Sequence, residues 1–316
     1  TQAGENVCVC AVRGNFDDAQ TGVKKIFSAV SKDQLLEGKG VRLSSANSIN
    51  IGRLAPQVVY YYRAYADLVQ AGRIQPGDKV DYVVPTGNFG DILAGYFAKE
   101  MALPVNKLIC ASNSNNVLTD FLRTGIYDRN RPFHTTMSPS MDILVSSNLE
   151  RLLYLLSGDD KLIADLMKQL SENGEYEVPA DMLEKLHELF WAGFCDDEGA
   201  KTAIGKVWKD DHYLCDTHTA VAWDVAQQYK QANPEHNAVV VLSTASPYKF
   251  PAAVLEGIGE KAEGDEFDVM EQLHKVTGVP VPKNLADLRS RAVRHRDVID
   301  RGEMLDYVLG KAAAEK

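Results

Sequence analysis

The sequence predicts an α/β protein, a three-layer arrangement in which a parallel sheet lies between helices on both faces. Three observations carry this expectation. β-rich runs alternate with helix-patterned runs along much of the chain, the mark of parallel strands joined by helical crossovers. With 316 residues, 45% hydrophobic and 25% charged, the chain has enough apolar side chain to cover such a sheet. A series of amphipathic runs breaks the alternation in the middle and predicts a helical insertion over about 146–211.

The first element, Val7 to Val12, is short and β-rich, and Asp17 to Val30 comes next with Val23, Ile26, Phe27 and Val30 at helical spacing. Arg53 to Val69 reads as a helix, Val80 to Val84 as a buried strand, Ile92 to Met101 as a helix and Lys107 to Ala111 as another strand. Ser147 and Glu150 then have capping-box spacing, and Leu149, Leu152, Leu153 and Leu156 share one face. Amphipathic runs continue at Leu162 to Leu170 and Met182 to Phe190, separated by the breaker stretch SENGEYEVP. Ala238 to Leu242 restores the strand pattern after a helix starting near Asp216, and long charged helices are expected from about Asn284.

Composition excludes several classes of function. A formal charge of −10 opposes non-specific binding of nucleic acid, which is held mainly by clustered Lys and Arg. No apolar run approaches the roughly 18 residues of a spanning helix, and the start TQAGENVCV lacks the basic and apolar regions of a signal peptide, so the expected location is cytoplasmic, away from membranes. Five cysteines without framework spacing point to reduced thiols. The chain opens without methionine and runs at once into a strand-like segment, as if cut from something longer.

Two similar turns differ in one position. Both RGNFDD (Arg13 to Asp18) and TGNFGD (Thr86 to Asp91) join a strand-like run to a helix-like one. In the second, Gly90 stands at the helix start, where backbone amides and the positive end of the helix dipole form an anion site suited to a phosphate group. In the first, Asp17 takes that slot; its carboxylate would cap the helix and repel phosphate. The motif is equally satisfied by a tight βα turn. A second cluster, SSANSINIGR (Ser44 to Arg53), offers Asn47, Ser48 and Asn50 as neutral donors and Arg53 as a bidentate cation, or simply a capped helix start. A third, VVVLSTASPYKFPAA, places Ser243 and Thr244 at the carboxyl edge of a parallel strand, where such sheets bind ligands; the hydroxyls could instead cap the helix after Pro247, and Lys249 could face an anion or solvent.

Taken together, VPTGNFGDILAGYFAKEMALP, SSANSINIGRLAPQVVYYYRAY, SPSMDILVSSNLERLLYLLSG, CDTHTAVAW and LSTASPYKFPAAV resemble the threonine synthases of the longer-chain type. These are pyridoxal-phosphate enzymes of the tryptophan-synthase-β fold group, fold type II. The resemblance spans nearly the whole chain in the family's order. It implies a lyase that converts O-phospho-L-homoserine and water to L-threonine and phosphate by β,γ-elimination and replacement. On that reading Gly87, Asn88, Phe89, Gly90 and Asp91 cradle the phosphate of pyridoxal 5'-phosphate, and Thr244 hydrogen-bonds its ring nitrogen. Asn47, Ser48 and Arg53 bind the substrate phosphate, and the enzyme acts as a monomer.

The chain departs from the family at three places. Ser246 fills the histidine slot of T-A-H-P, and Thr217 replaces the proline of D-P-H-T while His218 remains. The family's F-K-D motif, with the Schiff-base lysine, and its S-G-D-T-G segment do not occur in the sequence. The resemblance therefore implies a C-terminal portion with no catalytic residue of its own, residues 1–45 ending a smaller cofactor-closing subdomain and residues 46–316 forming the large cofactor-binding domain. Such a portion needs the upstream part of the same enzyme as partner. Two other classes compete: a non-catalytic relative that binds phosphorylated metabolites, and another pyridoxal-phosphate lyase such as a serine/threonine dehydratase. The latter does not predict the N-S-x-N-x-x-R cluster. Arg294 to Asp297 (RHRD) lacks the rest of a kinase catalytic loop, Cys8 and Cys10 lack a second ligand pair for zinc, and His187 has Trp191 four residues on, so none is read as a site.

Overall fold

The computed structural model of the chain describes residues 7–14, 16–38, 40–44 and 47–314. Its contacts divide it into two units, Thr1–Ser45 with Val281–Lys316, and Ala46–Pro280. The sequence reading carried the large domain through to residue 316. The segment from Val281 instead groups with the first stretch, because Ala11–Val12 pairs in parallel with Val298–Ile299 and helix Phe16–Asp33 packs against helix Met304–Ala314. Only Ala11 and Val12 of the expected first strand are paired.

The long charged helices expected from Asn284 do not form. Their place is taken by a single turn, Lys283–Ala286, short 3-10 turns at Leu288–Ser290 and Arg301–Glu303, and helix Met304–Ala314. The run RSRAVRHR sets basic side chains three and four residues apart, which weakens a helix by like-charge repulsion.

The larger unit is built on four parallel strands, β1 (Val80–Pro85), β2 (Val105–Ser112), β3 (Phe190–Phe194) and β4 (Ala238–Val241), in the order β3-β2-β1-β4. The period of two sorts their side chains. Val80, Tyr82, Val84, Leu108, Cys110, Phe190 and Ala192 enter one continuous core with Tyr61, Ile92, Leu93, Phe121 and Leu152 from the helices on that face. Trp191 points the other way and meets Tyr229 of helix Thr217–Ala232 edge-on, with ring centroids 5.4 Å apart. The near-continuous apolar strands are thus covered on both sides, as parallel sheets require.

The stretch 146–211 differs from the expected helical insertion. It contributes helices Leu149–Ser157, Asp160–Asn173, Ala180–Leu189 and Asp197–Asp211, but it also supplies β3, an edge of the main sheet, and Glu175–Glu177, which pairs antiparallel with Ile126–Asp128. The capping box is absent as well. Asn148, not Ser147, stands at the N-cap position, and its side chain does not cap the helix. The helix read over Arg53 to Val69 is interrupted. Ile51–Leu54 passes into a 3-10 turn, Ala55–Gln57, where Pro56 cannot donate a backbone hydrogen bond, and helix Val58–Gln70 comes after it. Among the described residues no helix is long and apolar enough to cross a membrane.

Candidate functional site

The glycine turn lies at the carboxyl end of β1. Thr86 pins it to two strands, its amide donating to the Ala111 carbonyl at 2.8 Å and its hydroxyl to the Val84 carbonyl at 2.7 Å. Phe89 takes a left-handed conformation (φ 58°, ψ 16°), which drives its ring into the core against Phe190 and leaves only its backbone facing outward. Helix Gly90–Glu100 starts at the next residue. No side chain caps it, whereas Asp159, Asp196 and Asp216 each cap the helix they precede. The first amides of the helix therefore have neither an intrahelical nor a side-chain partner, and the dipole adds positive potential at the same place. In the comparison turn, Asn15 and the Asp17 side chain lie outside the described residues, so its carboxylate cap is not placed.

Two clefts meet here. One, of about 240 Å³, is lined by Gly87 to Asp91 together with Ser48, Ser140, His218 and Thr244. Its neighbour, of about 650 Å³, takes in Arg53, Tyr60 and Arg63 and the residues from Val240 to Thr244 at the end of β4. Gln57, Asp91 and Thr244 line both.

The polar loop before residue 53 is partly spent on its own conformation. Asn47 accepts from the Ile49 amide at 3.1 Å, and Asn50 accepts from the Gly52 amide at 2.9 Å as the N-cap of Ile51–Leu54. Ser48 reaches the glycine-turn cleft and Arg53, exposed, lines its neighbour, while Asn47 lines neither. Ser45 and Ala46 of this stretch lie outside the described residues. Gly90 must be glycine because a Cβ there would overlap the Ser48 side chain, and one at Gly87 would stand 3.1 Å from Met141 Cα and the Ser140 carbonyl.

The end of β4 is divided between site and support. Ser243 and Thr244 are exposed at the carboxyl edge. Ser246, in the slot of the family histidine, caps Pro247–Lys249 by accepting from the Tyr248 amide at 3.2 Å. Lys249 Nζ lies 3.4 Å from Ser140 Oγ. His218, buried, accepts the Ser140 amide at Nε2 (3.3 Å) and meets Asp216 through Nδ1 (3.0 Å), which makes Nδ1 the protonated nitrogen. Burial alone would raise the Asp216 carboxyl, but hydrogen bonds from His218 and Thr219 hold it below the usual range.

The Asp91 carboxyl is engaged within the fold. The Tyr61 hydroxyl donates to the Asp91 carbonyl at 2.8 Å and reaches its carboxyl at 3.3 Å, and burial pushes that carboxyl up to about 6. The backbone of the turn, rather than this carboxyl, offers the donors an anion needs.

Sequence reasoning missed Ser146, Asn148 and Arg151. Ser146 Oγ donates to the Gly87 carbonyl at 3.0 Å, and Asn148 Nδ2 donates to the Asn88 carbonyl at 2.8 Å and to Ser48 Oγ at 3.0 Å. No local pattern marks them, because their partners lie 59 to 103 residues away in the sequence.

The chain is similar to known proteins along most of its length. A family model described as threonine synthase, C-terminal, matches residues 219–306. Threonine synthase-like 1 of Macaca fascicularis is 44% identical over 257 residues, covering 80% of this chain and 34% of that protein. Threonine synthase of Saccharomyces cerevisiae is 37% identical over 294 residues, covering 88% of this chain and 56% of that protein. The crystal structure of PLP-bound threonine synthase from Brucella melitensis superposes with a TM-score of 0.78 at 36% identity, over 98% of this chain and 60% of that one. The chain thus spans between about a third and three fifths of these relatives.

Proposed function

Since the chain is homologous to the C-terminal part of threonine synthases, a family of fold type II, we propose that it is the portion of such an enzyme that holds pyridoxal 5'-phosphate and the phosphate of O-phospho-L-homoserine. The proposed reaction gives L-threonine and phosphate from that substrate and water. The observation that carries this reading is the uncapped helix start at Gly90, which opens on a cleft shared with Ser48 and adjoining one lined by Arg53. A phosphorylated cofactor acting on a phosphorylated substrate calls for two neighbouring anion sites.

Each group has its own part in this reading. Amides of Gly87 to Asp91 hold the cofactor phosphate, with glycine needed for close packing against Ser48 and Met141. The Thr244 hydroxyl, which lines the same cleft, would be a neutral partner for the ring nitrogen. Ser48 and Arg53 take the substrate phosphate, Arg53 supplying the charge; Asn47 shapes the loop through its bond to the Ile49 amide. When bound, the cofactor supplies an electron sink for the carbanions of elimination and hydration.

Catalysis is proposed only for this portion joined to the rest of the relatives' length, because the F-K-D lysine motif does not occur here. The site is proposed to work in the cytoplasm, in a monomeric enzyme. A non-catalytic phosphometabolite-binding role is a second reading, favoured by the higher identity to threonine synthase-like 1. Mixing the chain with O-phospho-L-homoserine and pyridoxal phosphate, with and without the upstream portion of a related threonine synthase, tests the proposal. Threonine should form only in the mixture of both parts; phosphate binding without threonine in that mixture would favour the second reading.

A further inference from the structure

Asn148 stands where a helix would ordinarily be capped, yet its side chain turns away from helix Leu149–Ser157. Its Nδ2 hydrogens go to the Asn88 carbonyl (2.8 Å) and to Ser48 Oγ (3.0 Å), and its backbone amide also reaches the Asn88 carbonyl, at 3.2 Å. One turn on, Arg151 donates to Asn148 Oδ1 (3.1 Å), to the Ser48 carbonyl (3.2 Å) and to the Ile49 carbonyl. The arginine donates only, so it fixes which end of the Asn148 amide is oxygen. The order of donors is then determined: Arg151 to Asn148, Asn148 to Ser48 and to the glycine turn. Ser48 Oγ is an acceptor in this chain, which frees its own hydrogen for a ligand.

We infer that Asn148 and Arg151 are positioning residues that lock the Ser48 loop to the Asn88–Gly90 turn and orient the Ser48 hydroxyl as a donor toward a phosphate group, so that the two anion sites form one unit. This rests on the phosphate reading of the cleft. Three observations support it together. Asn148 is fully buried, it forgoes the cap that its position offers, and Gly90 leaves no space between the turn and Ser48. The helix is thereby left with a weaker start. The stabilisation a cap would supply is given up for contacts to two loops 60 and 100 residues away.

The test uses Asn148→Asp, Arg151→Lys and Ser48→Ala, with inorganic phosphate and pyridoxine 5'-phosphate as probes in calorimetry and amide hydrogen exchange as a second readout. Asn148→Asp sets an acceptor against the Asn88 carbonyl and should weaken both probes by about tenfold, whereas Ser48→Ala should weaken inorganic phosphate alone. Because Asn148 acts on that phosphate through Ser48, the double variant should bind it no worse than Asn148→Asp. Additive losses, or an Asn148→Asp effect on one probe only, would overturn the inference. Exchange should rise in both 47–53 and 87–91 in Asn148→Asp and, should that variant misfold, in Arg151→Lys, whose side chain cannot make all three bonds. Unchanged exchange in either loop overturns the locking. If wild type binds no phosphate while exchange still rises in both loops, the lock stands and it is the phosphate reading that fails.

Discussion

At the scale of single residues, Asp91 is the most readily tested. Its carboxyl titrates near 6 in the folded chain against an ordinary value of 3.8, because it is buried and the Tyr61 hydroxyl offsets only part of that cost. The native state therefore binds more protons than the unfolded state between these values. The contribution of this one group is greatest below about 4, falls as pH rises to about 6, and levels off above it. Asp91→Asn keeps an acceptor for Tyr61 and removes the titration. The variant should lose the fall in urea midpoint that Asp91 causes between pH 4 and 7 and exceed wild type at pH 7 by up to about 3 kcal/mol. A wild-type slope retained in the variant would place the titrating group elsewhere. The same residue shows how far motifs reach. TGNFGD displayed the glycine turn, but that its carboxyl faces Tyr61 depends on a helix thirty residues earlier, which spacing does not reveal. Asn148 was hidden for the same reason, its partners being 60 and 100 residues away.

Among elements, helix Gly90–Glu100 carries the proposed site, and its distance from the sheet is set by Gly95. A Cβ there would come within 2.7 Å of Tyr61 and 2.8 Å of Leu108, so the helix could not approach both. Gly95→Ala should cost about 1–3 kcal/mol despite alanine's better helix propensity, and should loosen the Tyr61 contact to Asp91. Chemical denaturation checks the first effect. A stabilised variant would mean that Tyr61 moves aside freely. The strands flanking this helix were legible because β-rich runs between polar turns give a strong period. β3 was not, since the amphipathic run Met182 to Phe190 takes in the first residue of FWAGF without a breaker, and only pairing with β2 turns that stretch into a strand. The interrupted helix at Pro56 was legible in principle from the proline alone.

At the level of the whole chain, the larger unit ends its sheet on β4, whose four residues are half-exposed, next to the cleft of about 650 Å³. An open parallel edge invites pairing, so light scattering of the isolated chain should rise with concentration; strictly monodisperse behaviour would contradict this. The fold class was legible in the strand and helix alternation. The grouping of Val281–Lys316 with the first segment was not, because it depends on a two-residue bridge, Ala11–Val12 with Val298–Ile299, that no local pattern marks.

The central claim, that the uncapped turn at Gly87 to Asp91 holds the cofactor through its phosphate, is tested most directly by calorimetric titration with pyridoxine 5'-phosphate and with pyridoxine. Neither carries an aldehyde, so surface lysines cannot imitate binding. The account predicts saturable binding of the phosphorylated compound, none of the other, and a loss of about tenfold or more in Gly90→Ala, where the new methyl displaces Ser48. Equal binding of both compounds, or binding that Gly90→Ala leaves unchanged, would contradict it.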